Sequence, residues 1–213
     1  MASFPKNTEP IRTLFLDIGG VLLSNGWAHE SRYLAVDRFG LDKAEMEERH
    51  AQVFPGYEIG NITLEEYLDW TVFYESRAFS KEDFTAFMFA QSKSIAGSVD
   101  FFKKLKQQNG LKVFALSNEG RELNEYRIKT FNLDTLFDGY ISSCYVHLRK
   151  PNVKMLHMAC DVSHSDKAHC LYVDDRSFLV DFARAAGIPS IQFKSVEAMK
   201  NSVKELPLSL NKN

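Results

Sequence analysis

The sequence predicts an α/β protein built on a parallel, Rossmann-like sheet and interrupted after its first strand by an all-helical insertion. Three observations carry that expectation. "IRTLFLD" is a short, mostly apolar run ending at Asp17 and followed closely by Gly19 and Gly20; it reads as a buried strand delivered into a tight turn. From about residue 25 to residue 95 the apolar residues recur only at helical spacing. From about residue 96 onward, helical and strand-like segments alternate, which implies βαβ units. The expected organisation is an α/β core over 1–24 and 96–213, with a helical cap over 25–95. An insertion directly after the first strand sits over the sheet's carboxyl edge, where open α/β sheets bind ligands. It is therefore a candidate lid.

Within the insertion, "RYLAVDRFG" and "DKAEMEERHAQVF" read as helices. "FPGYEIGN" (Phe54 to Asn61) breaks the pattern with a proline and two glycines. It reads either as a simple joint between two cap helices or as a loop over the crevice that selects substrates. "TLEEYLDW" opens with a capping-box pair, Thr63 and Glu66, and puts Leu64, Tyr67 and Leu68 on one face. "SKEDFTAFMF" repeats the arrangement, with Ser80 as cap and Phe84, Phe87 and Met88 sharing a face. In the core, "SVDFFKKLKQQNG" is a helix stopped by Asn109–Gly110. "KVFALS", "GYISS", "CLYVD" and "IPSIQF" are strands. "EGRELNEYRIKTF", "NVKMLHMACDV", "SFLVDFARAAG" and "SVEAMKNSVKEL" are helices between and after them. The tail "PLSLNKN" reads as loose.

The bulk properties narrow the classes of function. With 213 residues, 45% of them hydrophobic, the chain is large enough for a real core. A formal net charge of −2 gives no basic surface for a general nucleic-acid binder. No apolar run is long enough to span a bilayer, and the start "MASFPKNTEP" lacks the apolar stretch of a signal peptide. The three cysteines, Cys144, Cys160 and Cys170, are odd in number and not in C-x-x-C spacing. They read as small buried hydrophobes with free thiols, and the expected location is the cytoplasm.

Four places at or near strand ends carry the candidate chemistry. They are Asp17, the pair Ser117–Asn118, Lys150 in "HLRKPN", and the pair Asp174–Asp175. Each alone has an ordinary use as a turn former or helix cap, and a Lys-Pro step suits the first turn of a helix. Together, a parallel sheet brings them to one crevice. Carboxylates beside an ammonium, a hydroxyl and an amide suit a phosphate and a hard divalent cation such as Mg2+. A carboxylate nucleophile can form an aspartyl-phosphate.

In that order, and over about residues 11–200, these features resemble the haloacid dehalogenase-like hydrolase superfamily. "DIGGV" stands where the family has Asp-x-Asp followed by a small residue. "LSNEG" matches its strand-end Ser or Thr, "RKPN" its Lys before a helix, and "YVDDRS" its acidic pair. "ARAAGIPSIQF" looks like its following helix, Gly turn and fifth strand, and the insertion is similar to its C1-type cap. The resemblance implies that Asp17 is the nucleophile and that Ser117, with the Asn118 N–H, binds the transferring phosphoryl group. It implies that Lys150 neutralises both. The metal set it implies is Asp17, the Gly19 carbonyl and Asp175, with Asp174 holding a metal-bound water.

One member of the family pattern is absent. The second Asp of the first motif, which protonates the leaving oxygen and later activates water, is Gly19 here. His29, Glu30 and His147 are the residues expected near enough to substitute for it, although each also reads as a solvated polar residue. The expected activity is that of a Mg2+-dependent phosphatase acting on a small phosphorylated metabolite. A phosphate- and metal-binding protein without turnover is one alternative. A carbon–halogen hydrolase is the other, against which the acidic pair argues.

Overall fold

In the computed structural model, residues 9–208 of the chain are described. β1 (Thr13–Leu16) is followed by α1 (His29–Phe39), α2 (Lys43–Glu58), α3 (Leu64–Thr71) and α4 (Lys81–Ala90). The chain then runs through α5 (Ser98–Asn109), β2 (Lys112–Ser117), α6 (Arg121–Thr130), β3 (Gly139–Ser142) and α7 (Ser143–Val146). It ends with α8 (Val153–Ser163), β4 (Cys170–Asp174), α9 (Ser177–Ala185), β5 (Ser190–Gln192) and α10 (Val196–Val203). The five strands form one parallel sheet in the order β3-β2-β1-β4-β5.

β1 is the central strand, and its four residues are all buried. Leu14 and Leu16 join the apolar layer on one face of the sheet. Phe15 joins the layer on the other, as the two-residue pleat requires. Leu16 pairs with Ala115 on β2 and with Val173 on β4. The strand order reverses direction about β1, so the ligand crevice of this topology opens between the carboxyl ends of β1 and β4.

The four helices after β1 share a separate apolar cluster, aromatic in character, that includes Trp27, Tyr57, Tyr67 and Phe84 and extends to Leu123 on α6. The capping box at Thr63 and Glu66 is formed, and Leu64, Tyr67 and Leu68 are buried beneath it. The chain crosses from β1 into these helices and back at one place, where Ser24 N–H donates to Lys93 O (2.8 Å) and Leu23 faces Ser94.

"FPGYEIGN" does not form a loop over its first half. α2 continues through Pro55 and Gly56 to Glu58, and the turn comes only at Gly60 and Asn61. Burial overrides the intrinsic cost of proline in a helix. The Tyr57 ring stacks on Tyr67 at 5.3 Å and is fully buried. It also lies flat on the backbone of Gly120, where an added Cβ would stand 2.1 Å from the ring. That contact, with Ser143 Oγ–H donating to Glu58 O (2.5 Å), seats the end of α2 on the carboxyl edge of the sheet.

Two smaller expectations also change. Pro151 precedes the helix instead of opening it, because Asn152 is the N-cap of α8. Part of the tail read as loose is docked: Ile11 N–H donates to Pro207 O (2.7 Å), and Leu208 pairs with Ile11. The remainder of that tail and the first eight residues lie outside the described residues. All three cysteines are buried and free. Among the described residues, no helix is long and apolar enough to cross a membrane.

Candidate active site

Asp17 leaves the sheet one residue after β1, with its N–H donating to Val173 O (3.0 Å). Its side chain is almost fully buried. Oδ1 accepts from the Ile18 N–H (2.8 Å), which turns Oδ2 towards Lys150 Nζ at 3.2 Å. Lys150 Nζ also donates to Asp174 Oδ2 (2.8 Å) and to the Tyr172 hydroxyl (3.0 Å). The hydroxyl donates its own hydrogen bond to Asp174 Oδ2. Of the ammonium's three donors, two are committed to Asp174 and Tyr172, and Asp17 is met as an ion pair in a dry setting.

The amide of Asn118 holds the Lys150 backbone at both ends. Lys150 N–H donates to Asn118 Oδ1 (2.8 Å), and Asn118 Nδ2 donates to Lys150 O (2.9 Å). Asn118 therefore orients the lysine as well as following Ser117 at the end of β2. Ser117 is buried beside Asp17.

The two buried aspartates differ in how well their charge is met. Burial pushes the Asp174 carboxyl up, but Lys150, Tyr172 and the Arg176 N–H (2.9 Å) outweigh it and hold it at about 2. Burial pushes Asp17 up to about 6; Lys150 opposes this, Asp174 adds to it, and Arg176 and Ser117 oppose it. The half-exposed Arg176 reaches over both, with Nη2 3.7 Å from Asp17 Oδ2 and Nε 3.6 Å from Asp174 Oδ1.

Asp175 completes the cluster. Its Oδ2 accepts from Asn25 Nδ2 (3.3 Å), while its Oδ1 is buried with no hydrogen-bond partner among the described residues. Burial raises its pKa. Gly20 permits this approach: it has φ +71°, and a Cβ there would stand 2.1 Å from Asp175 Oδ2. One oxygen each from Asp17, Asp174 and Asp175 lie within 4.8 Å of one another. Three carboxylates this close repel unless a cation lies between them. An all-oxygen donor set with an orphaned buried oxygen fits a hard divalent ion.

The strand-end candidates thus come together, and the three residues named as substitutes for the missing acid do not join them. His29 lies in the cap against Glu47 (2.9 Å). Glu30 is exposed. His147 Nδ1–H donates to Ile59 O (2.8 Å) where α2 meets α7.

Five other residues enter the site or its rim. Tyr172 was legible as the residue two before Asp174, hence on the same face of β4. Arg176 and Glu119 stand inside the motifs "YVDDRS" and "LSNEG". Glu58 ends α2, is buried, and lies with Oε2 2.9 Å from Arg149 Nε. Its pKa is raised by burial against the charges of Arg149, Arg176 and Lys150, with Asp17 adding to the rise. Arg127, on α6, is fully buried; Nε donates to Ser92 Oγ (3.0 Å), Nη2 to Ser24 O (3.0 Å), and Nη1 to Glu119 Oε1. Neither Glu58 nor Arg127 carries a signal in a sequence of amphipathic helices.

The sequence profile of the haloacid dehalogenase-like (HAD) hydrolases matches residues 11–187, and the chain belongs to that family. No curated protein matches it significantly. Among solved structures it is similar to a HAD family enzyme from Bacteroides thetaiotaomicron in its magnesium complex. The two share 20% identity over 92% of this chain and 100% of that one, with a TM-score of 0.79. The same enzyme with magnesium and inorganic phosphate gives 21% identity, 87% and 95% coverage and a TM-score of 0.75. A HAD-like family hydrolase from Porphyromonas gingivalis gives 20% identity, 92% and 100% coverage and a TM-score of 0.73.

Proposed function

We propose that the protein is a Mg2+-dependent phosphatase for a small phosphorylated metabolite, working through an aspartyl-phosphate on Asp17. The cluster of Asp17, Asp174 and Asp175 carries this reading, because it gathers oxygen donors within 4.8 Å directly beside a buried lysine. The Bacteroides enzyme, solved with magnesium and inorganic phosphate, supports it. When bound, Mg2+ would neutralise the phosphate and fix its orientation. Asp17, the Gly19 carbonyl and Asp175 would hold the ion directly. Asp174, already engaged by Lys150, Tyr172 and Arg176, would reach it through a water.

Asp17 Oδ2 is the attacking atom, since Oδ1 is occupied by the Ile18 N–H. Lys150 fixes that oxygen and offsets the repulsion between carboxylate and phosphate. Ser117 binds a phosphoryl oxygen, and the guanidinium of Arg176 is placed to meet another. The apolar layers behind β1 and the end of α2 above it limit access of water.

A carbon–halogen hydrolase fits less well, because three clustered carboxylates disfavour an anionic substrate in the absence of a cation. A binding protein without turnover is the reading that Gly19 favours. A screen of phosphorylated metabolites with and without Mg2+ decides. Phosphate release that needs Mg2+ and vanishes in Asp17→Asn is expected. Release that persists in Asp17→Asn overturns the covalent route. Intact Mg2+ binding with no release from any substrate points to the binder.

A further inference from the structure

We infer that Glu119 is the acid–base residue of the site, standing in for the carboxylate that Gly19 lacks. The inference rests on the phosphatase reading above, and it starts from the space at Gly19. A Cβ there would meet Asn25 Oδ1 at 3.0 Å and Arg127 Nη1 at 3.8 Å, with no positive φ to forbid it. The absent side chain would therefore border the guanidinium of Arg127. That same nitrogen, Nη1, is the one bonded to Glu119 Oε1. The guanidinium that would flank a carboxylate at position 19 flanks the carboxylate of Glu119.

Three further observations favour a working group over a purely structural ion pair. Glu119 stands two residues beyond Ser117, between the carboxyl end of β2 and the start of α6. Its side chain is 5% exposed, and Oε2 is buried with no hydrogen-bond partner among the described residues. A structural carboxylate at such depth is ordinarily satisfied at both oxygens. Arg127 is also held by Ser24 O and Ser92 Oγ, so Glu119 has a fixed rotamer and a free oxygen. Burial raises its pKa, Arg127 opposes the rise, Asp17 adds to it, and Lys150 opposes it. Glu58, the other buried glutamate near Asp17, pairs with Arg149 and not with Arg127.

In the first step an Asp17 oxygen forms a bond to phosphorus while the bond from phosphorus to the leaving oxygen breaks. Protonated Glu119 gives its proton to that oxygen, and the product leaves as an alcohol. In the second step the Glu119 carboxylate takes a proton from water as the water oxygen bonds to phosphorus. The Asp17–phosphorus bond breaks, phosphate leaves, and Glu119 is protonated again.

The test uses the full chain with Mg2+, an alkyl phosphate and nitrophenyl phosphate. Glu119→Gln should lower alkyl phosphate turnover by about 10²-fold or more. On nitrophenyl phosphate, whose leaving group needs no proton, it should give a stoichiometric burst of nitrophenolate. Slow release of phosphate and a trapped phosphoenzyme should follow. Adding Gly19→Asp to this variant should recover at least about tenfold of the loss, because the new carboxylate borders the same Arg127 nitrogen. If Glu119→Gln does not fold, Glu119→Asp keeps the charge opposite Arg127, withdraws the carboxylate, and should show the same pattern.

Unchanged alkyl phosphate turnover in a folded variant overturns the assignment. So does an equal loss on both substrates, with no burst and no recovery from Gly19→Asp; Glu119 would then only position Arg127. A wild-type chain without Mg2+- and Asp17-dependent release removes the phosphatase reading itself, and the assignment with it. A wild type active in that way, with Glu119→Gln unchanged, removes the assignment alone.

Discussion

The α/β core and the helical insertion both bury polar side chains, and they do so to different ends. In the core, Asp17, Lys150, Tyr172, Asp174 and Asp175 meet at the ends of β1 and β4. Negative charge there exceeds what the side chains can balance, and Asp175 Oδ1 is left without a partner. In the insertion, Arg32 grips Glu47 with two bonds (2.6 and 2.8 Å) and donates to Trp27 O (2.9 Å). Trp27 Nε1–H donates to the Tyr67 hydroxyl (2.9 Å), which lies 2.8 Å from His50 Nδ1. These groups are closed on one another and organise an aromatic core. The incompletely met network is suited to chemistry, and the closed one to stability.

Removing the proposed nucleophile should separate the two most sharply. Asp17→Asn should lower phosphate release by about 10⁴-fold or more. Its melting temperature should hold or rise, because the substitution removes a desolvated charge that burial already disfavours. A variant that loses activity only by unfolding would contradict the contrast.

The joint between the regions comes next. Arg127 extends from α6 to Ser24 and Ser92, one on each chain crossing into the insertion. Arg127→Ala leaves Glu119 buried without its cation, which costs about 3–5 kcal/mol. Arg127→Met combined with Glu119→Leu should recover most of that loss, because no unpaired charge remains. Chemical denaturation measures both. Equal destabilisation of the single and double variants would mean that the bonds to Ser24 and Ser92, and not the buried charge, hold the joint.

A smaller effect is expected at the metal cluster. Asp175→Asn keeps the size of the side chain but removes a charge from the donor set. Mg2+ affinity measured by calorimetry should weaken by about 10–100-fold, with little change in melting temperature without the ion. Unchanged affinity would place the ion elsewhere.

These effects also mark what the sequence could disclose. Asp17, Ser117, Lys150 and Asp174–Asp175 were legible because a parallel sheet brings the carboxyl ends of neighbouring strands together. Order along the chain was enough to place them. Glu119 and Arg127 are eight residues apart, but the two chain crossings that hold Arg127 are encoded by no local pattern. Arg127 sits in "NEYRIKTF" like any solvated helical cation, and it is buried only because Ser24 and Ser92 pass over it. "FPGYEIGN" misled for a related reason. Proline and glycine report local cost, whereas Tyr57 gains its burial from Tyr67 on α3 and from Gly120 beside α6, both outside its own helix. His29, Glu30 and His147 lay near the motifs in sequence, but His29 is engaged by Glu47, Glu30 is exposed and His147 is bonded to Ile59 O.

The smallest effect belongs to the closed network. His50 stacks on Phe54 at 4.5 Å. Burial lowers its pKa to about 3; Arg32 lowers it further, Glu47 opposes and His29 adds to the lowering. At neutral pH its Nδ1 is an acceptor for the Tyr67 hydroxyl. The unfolded chain takes up a proton near 6.5, while the folded chain resists it until far lower pH. The folded state therefore binds fewer protons in that window. This contribution to stability is fully present above about pH 6.5 and is lost as pH falls towards 3. At pH 5 the loss is about 2 kcal/mol, or roughly 4–8 °C in melting temperature for a chain of this size. His50→Gln keeps an acceptor for Tyr67 and does not titrate. Its melting temperature should start lower, since the stack on Phe54 is weakened, but should fall less between pH 7.5 and 5. The difference in slope isolates His50 from the carboxylates of the core, which titrate in both proteins. Parallel melting curves for the two would mean that His50 is not held neutral, and that the insertion, like the core, carries charge its own side chains do not settle.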